Sequence, residues 1–354
     1  MKQDPVLNSI LSHYQKKLPF AVYALPGEGI ISVLLQQNAR LYKNDNWQES
    51  GFTMAPFNPD ISANFIPVSK SKCLKSEFIG KPVLNKSFEL IQSDSDREDH
   101  IARVKNAIGL INASELEKVV LSRKQEIKLN EFRITDLCAS LFSEYPSAFR
   151  YLWYHPKTGL WCGATPELLL NVKENLFETM SLAGTRAIQL NGGQEWTQKE
   201  YMEQQIVTDA ILEALHPFAR SLQTSEAYTV TAGNLEHLRT DISGTLTTRK
   251  ELSGLLNVLH PTPAVCGKPR SKALEFIRST EGYDRSYYTG FVGSVGAESE
   301  QISLFVNLRC MALNGRTATI YTGGGITADS IPESEWIETC KKQETMLKLL
   351  SLFL

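Results

Sequence analysis

The chain lacks the patterns that mark several large classes of protein. Among its 354 residues, no apolar run reaches the 18 or so residues that a membrane-spanning helix needs. Charge of one sign is not in excess, because 37 basic and 39 acidic residues leave a net charge of −2. Such a balance provides no general polycation for nucleic acid or for an anionic membrane surface. We therefore expect no nucleic acid and no membrane among its partners.

Disulfide and metal spacings are absent too. The six cysteines are scattered and none forms a CxxC pair, while the six histidines show no metal spacing. The first 18 residues, MKQDPVLNSILSHYQKKL, have neither a continuous apolar stretch nor an A-x-A cleavage site. These features are typical of free thiols in a reducing cytosol, so we expect a cytoplasmic protein.

A large globular core is what the composition does provide. Hydrophobic residues make up 42% of the chain and charged residues 21%, which excludes wholesale disorder. Residues 1–95 form a less regular segment, in which the runs PFAVYAL and GIISVLL predict strands and residues 69–76 predict a loop. From residue 96 to 354 the periodic signals are sharper. We therefore take residues 1–95 as a variable N-terminal part of the same fold and residues 96–354 as the catalytic region.

Helical patterns recur in the second part. Apolar residues follow the cap types Ser95 and Asp96 at helical spacing, and another helix is predicted over 134–145. Thr197 and Glu200 predict a capping box at the start of a helix over 196–219. Ser330 and Glu333 predict a second capping box, before a long terminal helix from Pro332.

Strand patterns lie between these helices. They are found in KVVLSRKQEIKL, FRYLWYH, GLWCGA, ELLLNV, LFETMSL, EAYTVTA, LEHLRTDISGTL, YTGFVGSVG, ISLFVNLRCMAL and TATIYTGGG. Long antiparallel runs with inserted helices favour an α+β layered sandwich over a doubly wound parallel sheet.

Two predicted helices carry acidic pairs near their N-terminal ends. Glu200 and Glu203 lie on one, and Glu335 and Glu338 on the other, each pair on one helix face. Taken singly, each pair is more simply a solvated first turn favoured by the helix dipole. If the helices converge, four carboxylates would need a cation, and oxygen ligands suit Mg²⁺. Periodicity cannot show that convergence.

Other single residues have ordinary interpretations as well. Lys118 opens the strand KVVLSR, where a lysine is normally solvated, and Glu167 precedes an apolar strand in GATPELLL. Buried together in a polar cleft, they would form a general base and a general acid. Arg309 lies inside an apolar strand, where it needs either a structural salt bridge or an anionic ligand. The run Gly323–Gly325 allows a close approach of backbone to an anion but does not match a dinucleotide fingerprint.

Several motifs, taken in order, resemble those of the chorismate-utilising enzymes. They are KVVLSR, GATPELLL, SLAGTR, LHPTPAVCGKP, YYTGFVG, VNLRC and GGGITADSIPESEWIETCKK. The likeness is strong from about residue 96 to the end of the chain and is closest to the isochorismate synthases. It implies an α+β fold, an α/β sandwich of large antiparallel sheets packed face to face with helices outside. It also implies chorismate as substrate and Mg²⁺ as cofactor.

The resemblance assigns roles to individual residues. It implies Lys118 as the base that activates water at C2 and Glu167 as the acid for the departing C4 hydroxyl. Glu203 and Glu338 match metal ligands, and their neighbours Glu200 and Glu335 would act mostly through water. The substrate-binding positions that it implies are Gly184, Thr185, His237, Tyr288, Arg309, Gly325 and Lys342.

One departure and several alternatives remain. The family usually has histidine after its metal glutamate, whereas here Gln204 follows Glu203. In the family, a lysine at the position of Lys118 favours water over ammonia as the nucleophile. The segment PTPAVCG resembles that of the isochorismate synthases more than that of the anthranilate synthases. A salicylate synthase, which goes on to eliminate pyruvate, and a non-catalytic scaffold stay open. We expect a monomer without a glutamine amidotransferase subunit, serving menaquinone or siderophore biosynthesis.

Overall fold

The computed structural model describes residues 5–44, 47–77, 92–188, 195–232, 235–248, 251–296 and 301–354. These residues form seven α-helices. They are α1 Pro5–Gln15, α2 Asp94–Asn112, α3 Ile134–Glu144, α4 Gln198–Leu215, α5 Leu252–Leu259, α6 Arg270–Thr280 and α7 Pro332–Leu350. None of the described helices has the length and apolar character that a membrane crossing requires.

The strands fall into two antiparallel sheets. In chain order they are β1 Phe20–Ala24, β2 Ile30–Gln36, β3 Tyr42–Lys43, β4 Gly51–Ala55, β5 Asn64–Pro67, β6 Ser71–Glu77, β7 Lys118–Lys128, β8 Phe149–His155, β9 Gly159–Thr165, β10 Leu168–Lys173, β11 Leu176–Ala187, β12 Ala219–Thr224, β13 Tyr228–Ala232, β14 Leu235–Leu246, β15 Gly267–Lys268, β16 Phe291–Val295, β17 Ile302–Val306, β18 Cys310–Asn314 and β19 Thr317–Ile326. The first sheet has the order β15-β7-β19-β18-β9-β8-β1-β2-β6. The second has the order β12-β14-β11-β10-β17-β16-β4-β5-β3, with β13 beside β14.

The two sheets pack face to face. Between them lies an apolar core to which both contribute, and the ring of Phe149 on β8 stacks on Phe305 of β17 with centroids 4.2 Å apart. Helices α1, α3 and α7 cover the outer face of the first sheet, and α2 and α6 pack beside β7. Helices α4 and α5 cover the second sheet. The predicted fold class, an α+β sandwich with helices outside, is confirmed.

The described residues of the segment 1–95 do not form a layer of their own. Strand β1 pairs with β8 in the first sheet, and β4 pairs with β16 in the second. The predicted loop at 69–76 is wrong, because Ser71–Glu77 forms the edge strand β6. Its exposed, lysine-containing face has no apolar alternation, which explains why the sequence pattern indicates a loop.

The predicted single strand ISLFVNLRCMAL is also wrong. It is two strands, β17 in the second sheet and β18 in the first. The chain changes sheets at Asn307–Arg309, where Arg309 has a left-handed φ of +45°. The buried side chain of Asn307 accepts from the Tyr151 hydroxyl at 2.7 Å and donates to the Tyr287 carbonyl at 2.8 Å. These bonds pair the polar side chain of Asn307 where the chain crosses between the sheets, next to Arg309.

Of the two predicted capping boxes, one is present and the other is not. The capping box of Thr197 and Glu200 is present at the start of α4. At α7 the second predicted box is wrong: Ile331 is the N-cap and no cap side chain bonds to the helix, because the Ser330 hydroxyl accepts from the Thr327 amide. Pro332 in the first turn removes one of the free amides that such a box would satisfy. For α2 the N-cap is Ser93, two residues before the first predicted cap type.

Candidate active site

One cavity lies where β7 and β19 of the first sheet, β11 and β14 of the second, and helices α4 and α7 come together. It has a volume of about 700 Å³, its open mouth included. The structure brings ten of the thirteen predicted site residues to its wall. They are Glu167, Gly184, Thr185, Glu203, His237, Tyr288, Arg309, Gly325, Glu338 and Lys342.

The other three predicted residues lie directly beside this wall. Lys118 contacts Glu203, which lines the cavity. Glu200 and Glu335 line a neighbouring cavity, which shares Thr185 and Glu338 with the first. All thirteen positions are therefore collected in one region, although they come from elements more than two hundred residues apart in the chain.

Glu167 is a carboxyl group held inside this region. The residue is 4% exposed, and burial raises its pKa to about 8, with the charges of Lys118 and Lys342 opposing the rise. Its backbone is fixed, because its carbonyl accepts from the Val306 amide at 3.0 Å. At neutral pH the carboxyl group is mostly protonated, so it can donate a proton to a bound molecule.

Lys118 is buried at the first position of β7. Only 1% of its side chain is exposed, and Nζ lies 2.9 Å from Oε1 of Glu203 on α4. A glycine at position 325 is required for this contact, because a Cβ there would lie 2.3 Å from Oε1 of Glu203 and 2.8 Å from Cε of Lys118. Part of the glycine run therefore serves a side-chain contact, and not only the approach of an anion to the backbone.

The acidic pairs of α4 and α7 do converge, which periodicity could not show. A Cβ at Gly324 would lie 3.3 Å from Oε2 of Glu335 and 3.5 Å from Oε1 of Glu338, and Glu203 reaches the adjacent Gly325. Burial and the charge of Glu338 raise the pKa of Glu335, with Lys199 opposing the rise. Such a cluster needs positive charge near it.

Lysines supply positive charge to three of these carboxylates. Nζ of Lys118, Lys199 and Lys342 lies 2.9, 3.0 and 2.6 Å from Glu203, Glu335 and Glu338 respectively. Within the described ranges, no three His, Cys, Asp or Glu side chains are arranged as a ready metal cluster.

The residues nevertheless fit a hard divalent cation. Carboxylate oxygens are the ligands that Mg²⁺ prefers, and a buried carboxylate beside a second one is stabilised by a cation. Glu200 differs from its three neighbours, because its carboxylate accepts from the backbone amide of Thr197 at 3.0 Å and so caps α4.

Arg309 has no carboxylate partner among the residues that the structure describes. Its guanidinium contacts Nε2 of His237 at 3.5 Å and the Thr345 hydroxyl at 3.4 Å, and the residue is 9% exposed. Of the two interpretations, a structural salt bridge is thus not supported, and a buried guanidinium facing a cavity is suited to an anionic ligand.

The imidazole ring of His237 contacts the guanidinium of Arg309. Burial, together with the charges of Arg309 and Lys342, lowers the pKa of His237 to about 3, so its ring is neutral. Nδ1 lies 3.1 Å from the Gly184 carbonyl, which can only accept, so Nδ1 carries the proton and Nε2 accepts from Arg309. Gly184 itself has a φ of +72°, and the Thr185 hydroxyl lies 3.2 Å from the same Nδ1.

Some cavity residues had no signal in the sequence. Lys199, which pairs with Glu335, looks like a solvated lysine in the first turn of α4. The ring of Tyr321 stacks on Tyr288 with centroids 5.5 Å apart, and Thr322 has a buried hydroxyl with no hydrogen-bond partner among the described residues. Strand alternation could not have indicated both, because it puts adjacent residues on opposite faces of a sheet.

Comparison with known proteins indicates the same family as the motifs. Residues 67–351 match the model of a family described as chorismate binding enzyme. The salicylate biosynthesis isochorismate synthase of Pseudomonas aeruginosa is 32% identical over 273 residues, 73% of this chain and 56% of that protein. The chain thus covers little more than half the length of this relative. An isochorismate synthase of Bacillus subtilis is 32% identical over 279 residues, 72% of this chain and 68% of that protein.

Solved structures show the same fold. The menaquinone-specific isochorismate synthase from Escherichia coli has a TM-score of 0.80 and 20% identity, over 99% of this chain and 92% of that chain. At this identity the likeness concerns the fold alone. The family match covers most of the chain, and two relatives are 32% identical, one of them over 68% of its own length. The chain belongs to the chorismate binding enzyme family, as its motifs predicted.

Proposed function

We propose that this protein is an isochorismate synthase, an isomerase that converts chorismate to isochorismate. Water adds at C2 of the ring and the C4 hydroxyl leaves. The observation that carries the proposal is the buried acid Glu167, whose pKa of about 8 keeps it mostly protonated. The same cavity holds the guanidinium of Arg309, which has no carboxylate partner among the described residues. The names of the two relatives and the order of the motifs support the same activity.

Glu167 is proposed as the general acid. Hydroxide is a poor leaving group, so the C4 oxygen has to receive a proton as its bond to carbon breaks. A carboxyl group with an ordinary pKa near 4.5 would be ionised at neutral pH and have no proton to give. Burial at this position therefore supplies the required state.

Lys118 is proposed as the general base. It would take a proton from the water that attacks C2, on the other side of the ring from Glu167. Lys118 now donates to Glu203, so it must lose this proton before it can act on water. Because the two groups are so close, the negative charge of Glu203 acts directly on the amino group of Lys118.

Binding of the substrate would depend on its carboxylates. Arg309 is proposed to grip one of them with its planar fork, held in orientation by His237. Tyr288, Lys342 and the backbone at Gly325 line the same cavity. Gly184 and Thr185 form the wall opposite.

Mg²⁺ is part of the proposal. Glu203 and Glu338 would hold it, with Glu335 and Glu200 nearby acting through water. When bound, the ion would neutralise a substrate carboxylate and the cluster of glutamates. The protein itself shields and positions these carboxylates. Glu335 is 2% exposed to solvent, and the N-terminal parts of α4 and α7 fix the carboxylates relative to the cavity.

An assay with purified protein, chorismate and Mg²⁺ tests the proposal. Isochorismate as the product supports it, with Glu167→Gln as the inactive control. Salicylate and pyruvate would indicate the alternative, a salicylate synthase, and no turnover of chorismate would contradict both. The monomeric state, the cytoplasmic location, the absence of an amidotransferase partner and the division of the chain at residue 95 stay predictions.

A further inference from the structure

A buried ion pair lies behind one wall of the substrate cavity. Nε of Arg285 donates to Oε2 of Glu281 at 2.8 Å, and Nη2 donates to the other carboxylate oxygen. Both residues are 2% exposed, and neither lines the cavity. A buried pair of this kind is weak evidence for stability in itself, since two apolar residues of the same size often serve as well.

The remaining N–H groups of Arg285 go to the cavity wall. They donate to the Val265 carbonyl at 2.9 Å, the Val120 carbonyl at 2.7 Å and the Thr289 hydroxyl at 3.3 Å. All three acceptors belong to residues that line the cavity. One guanidinium thus ties together strand β7, the segment 262–268 and the turn that precedes β16.

Glu281 fixes the orientation of that guanidinium. Its carboxylate also accepts from the backbone amide of Ser122 at 2.6 Å and from the Ser122 hydroxyl at 2.8 Å. The ring of Phe57 lies 4.5 Å from the centre of the guanidinium and covers its face. With all five N–H groups used and one face covered, Arg285 has a single orientation.

The turn that Arg285 holds is a strained one. Thr289 is β-branched and has a φ of +60°, a conformation that such residues rarely adopt. Its hydroxyl donates to the Tyr288 carbonyl, and the Tyr288 amide donates to the Arg285 carbonyl at 2.9 Å. The position of Tyr288 in the cavity therefore depends on this network.

We propose that Glu281 and Arg285 form a positioning pair for substrate binding. The pair touches no substrate; it acts through Tyr288, Thr289 and the carbonyl-bearing wall at Val120 and Val265. The identity of the substrate in this inference rests on the proposed function. We expect loss of the pair to weaken substrate binding more than the chemical step, because none of its described hydrogen bonds goes to Lys118 or Glu167.

Arg285→Lys is the first test. It keeps a positive charge opposite Glu281 but has at most three donors and no planar fork. We expect amide hydrogen exchange in residues 262–268 and 286–290 to become at least tenfold faster. For chorismate, KM should rise at least tenfold while kcat stays within threefold of wild type. Arg278 is an exposed residue of α6, and its partners among the described residues are Asn58 and Asp60. Arg278→Lys is therefore the matched control and should change neither readout.

A double variant separates positioning from stability. Glu281→Leu with Arg285→Met removes both charges and fills the same space. If the pair only stabilises the fold, this variant should have wild-type KM and wild-type exchange once folded, which would overturn the proposal. Positioning predicts a raised KM in any folded version of the double variant. If the double variant does not fold, Glu281→Gln, which keeps the shape of the side chain, provides the same comparison. A wild-type KM in Arg285→Lys or in Glu281→Gln would also contradict the proposal.

The exchange readout does not need turnover. If wild type fails to convert chorismate, the proposed function fails, and the exchange comparison between Arg285→Lys and Arg278→Lys still decides the positioning role. If wild type is active and Arg285→Lys shows neither faster exchange nor a raised KM, the positioning role alone fails.

Discussion

At the scale of single residues, Glu167 links catalysis to the pH dependence of stability. Its folded-state pKa is about 8, against an ordinary value of 4.5. Between these pH values the folded state keeps a proton that the unfolded state has lost. The stability associated with this group is therefore full below pH 4.5 and is lost as the pH rises through 8.

Glu167→Gln should remove this pH dependence. Because one pKa unit corresponds to about 1.4 kcal/mol, the free energy of unfolding of wild type should fall by a few kcal/mol more than that of the variant between pH 5 and pH 9. Urea denaturation at pH 5, 7 and 9 measures this difference. Parallel pH curves for the two proteins would show that Glu167 titrates normally.

Lys118→Ala tests the base. The variant should lose roughly 10²–10⁴ in kcat, the usual range for a missing general base. In both proteins the rate should fall as the pH rises past about 8, where Glu167 ionises. A variant with a rate within a few-fold of wild type would exclude Lys118 as the base.

Glu338→Gln tests the metal site. The carboxylate lies beside Glu335 and 2.6 Å from Lys342, so its loss removes both a hard ligand and a charge. Activity should fall by several orders of magnitude at limiting Mg²⁺, while the fold survives because one source of repulsion is gone. Glu333→Gln, at an exposed position in the first turn of the same helix, is the control. Near-full activity of Glu338→Gln at limiting Mg²⁺ would reject the assignment.

At the scale of elements, Glu200 has a structural role that can be separated from catalysis. It caps α4 through Thr197. Glu200→Ala should lower the free energy of unfolding by about 1 kcal/mol, whereas Glu200→Gln keeps the capping box and the stability. Urea denaturation compares them, with Glu213→Ala as an exposed control on the same helix. If Glu200 also serves the metal through water, Glu200→Gln loses activity at limiting Mg²⁺ without losing stability; equal stability of all three variants would contradict the cap.

Elements with strong local patterns agree with the sequence. Strand β14 has the predicted bounds, and α3 and α4 lie inside theirs. The errors occur where a distant contact decides. The run 302–313 is mostly apolar and has no glycine or proline to divide it, yet Asn307 bonds to Tyr151 and Tyr287 and the chain changes sheets there.

At the scale of the whole molecule, the interface between the sheets carries much of the stability. Phe149 is fully buried and stacks on Phe305 at 4.2 Å across it. Phe149→Ala should lower the free energy of unfolding by about 3–5 kcal/mol, through lost burial and an unfilled cavity. Phe149→Leu, which leaves a smaller cavity, should cost less, and urea denaturation measures both. An effect under 1 kcal/mol for the alanine variant would show that the sheets repack freely.

The same interface explains why residues 1–95 belong to the fold. Strands β1 and β2 extend the first sheet beyond β8, and β4 and β5 extend the second beyond β16. Low regularity in the sequence of this segment reflects edge strands and loops, not a separate unit. The division at residue 95 therefore describes variation in sequence, and its status as a boundary stays a prediction.

The sequence by itself determined the helices and strands with local periodicity, the capping of α4, the family and the set of residues to examine. Each of these depends on residues close together in the chain or on an ordered series of motifs. Only the tertiary structure decided the state of those residues. Lys118, Glu203 and Gly325 come from three distant elements. Their contact exists because β7 pairs with β19, while Glu203 reaches them from α4, which packs on β11 of the second sheet. The burial that raises the pKa of Glu167 results from this packing, and no local pattern encodes it. The same holds for Arg309, which faces the cavity with no carboxylate partner among the described residues.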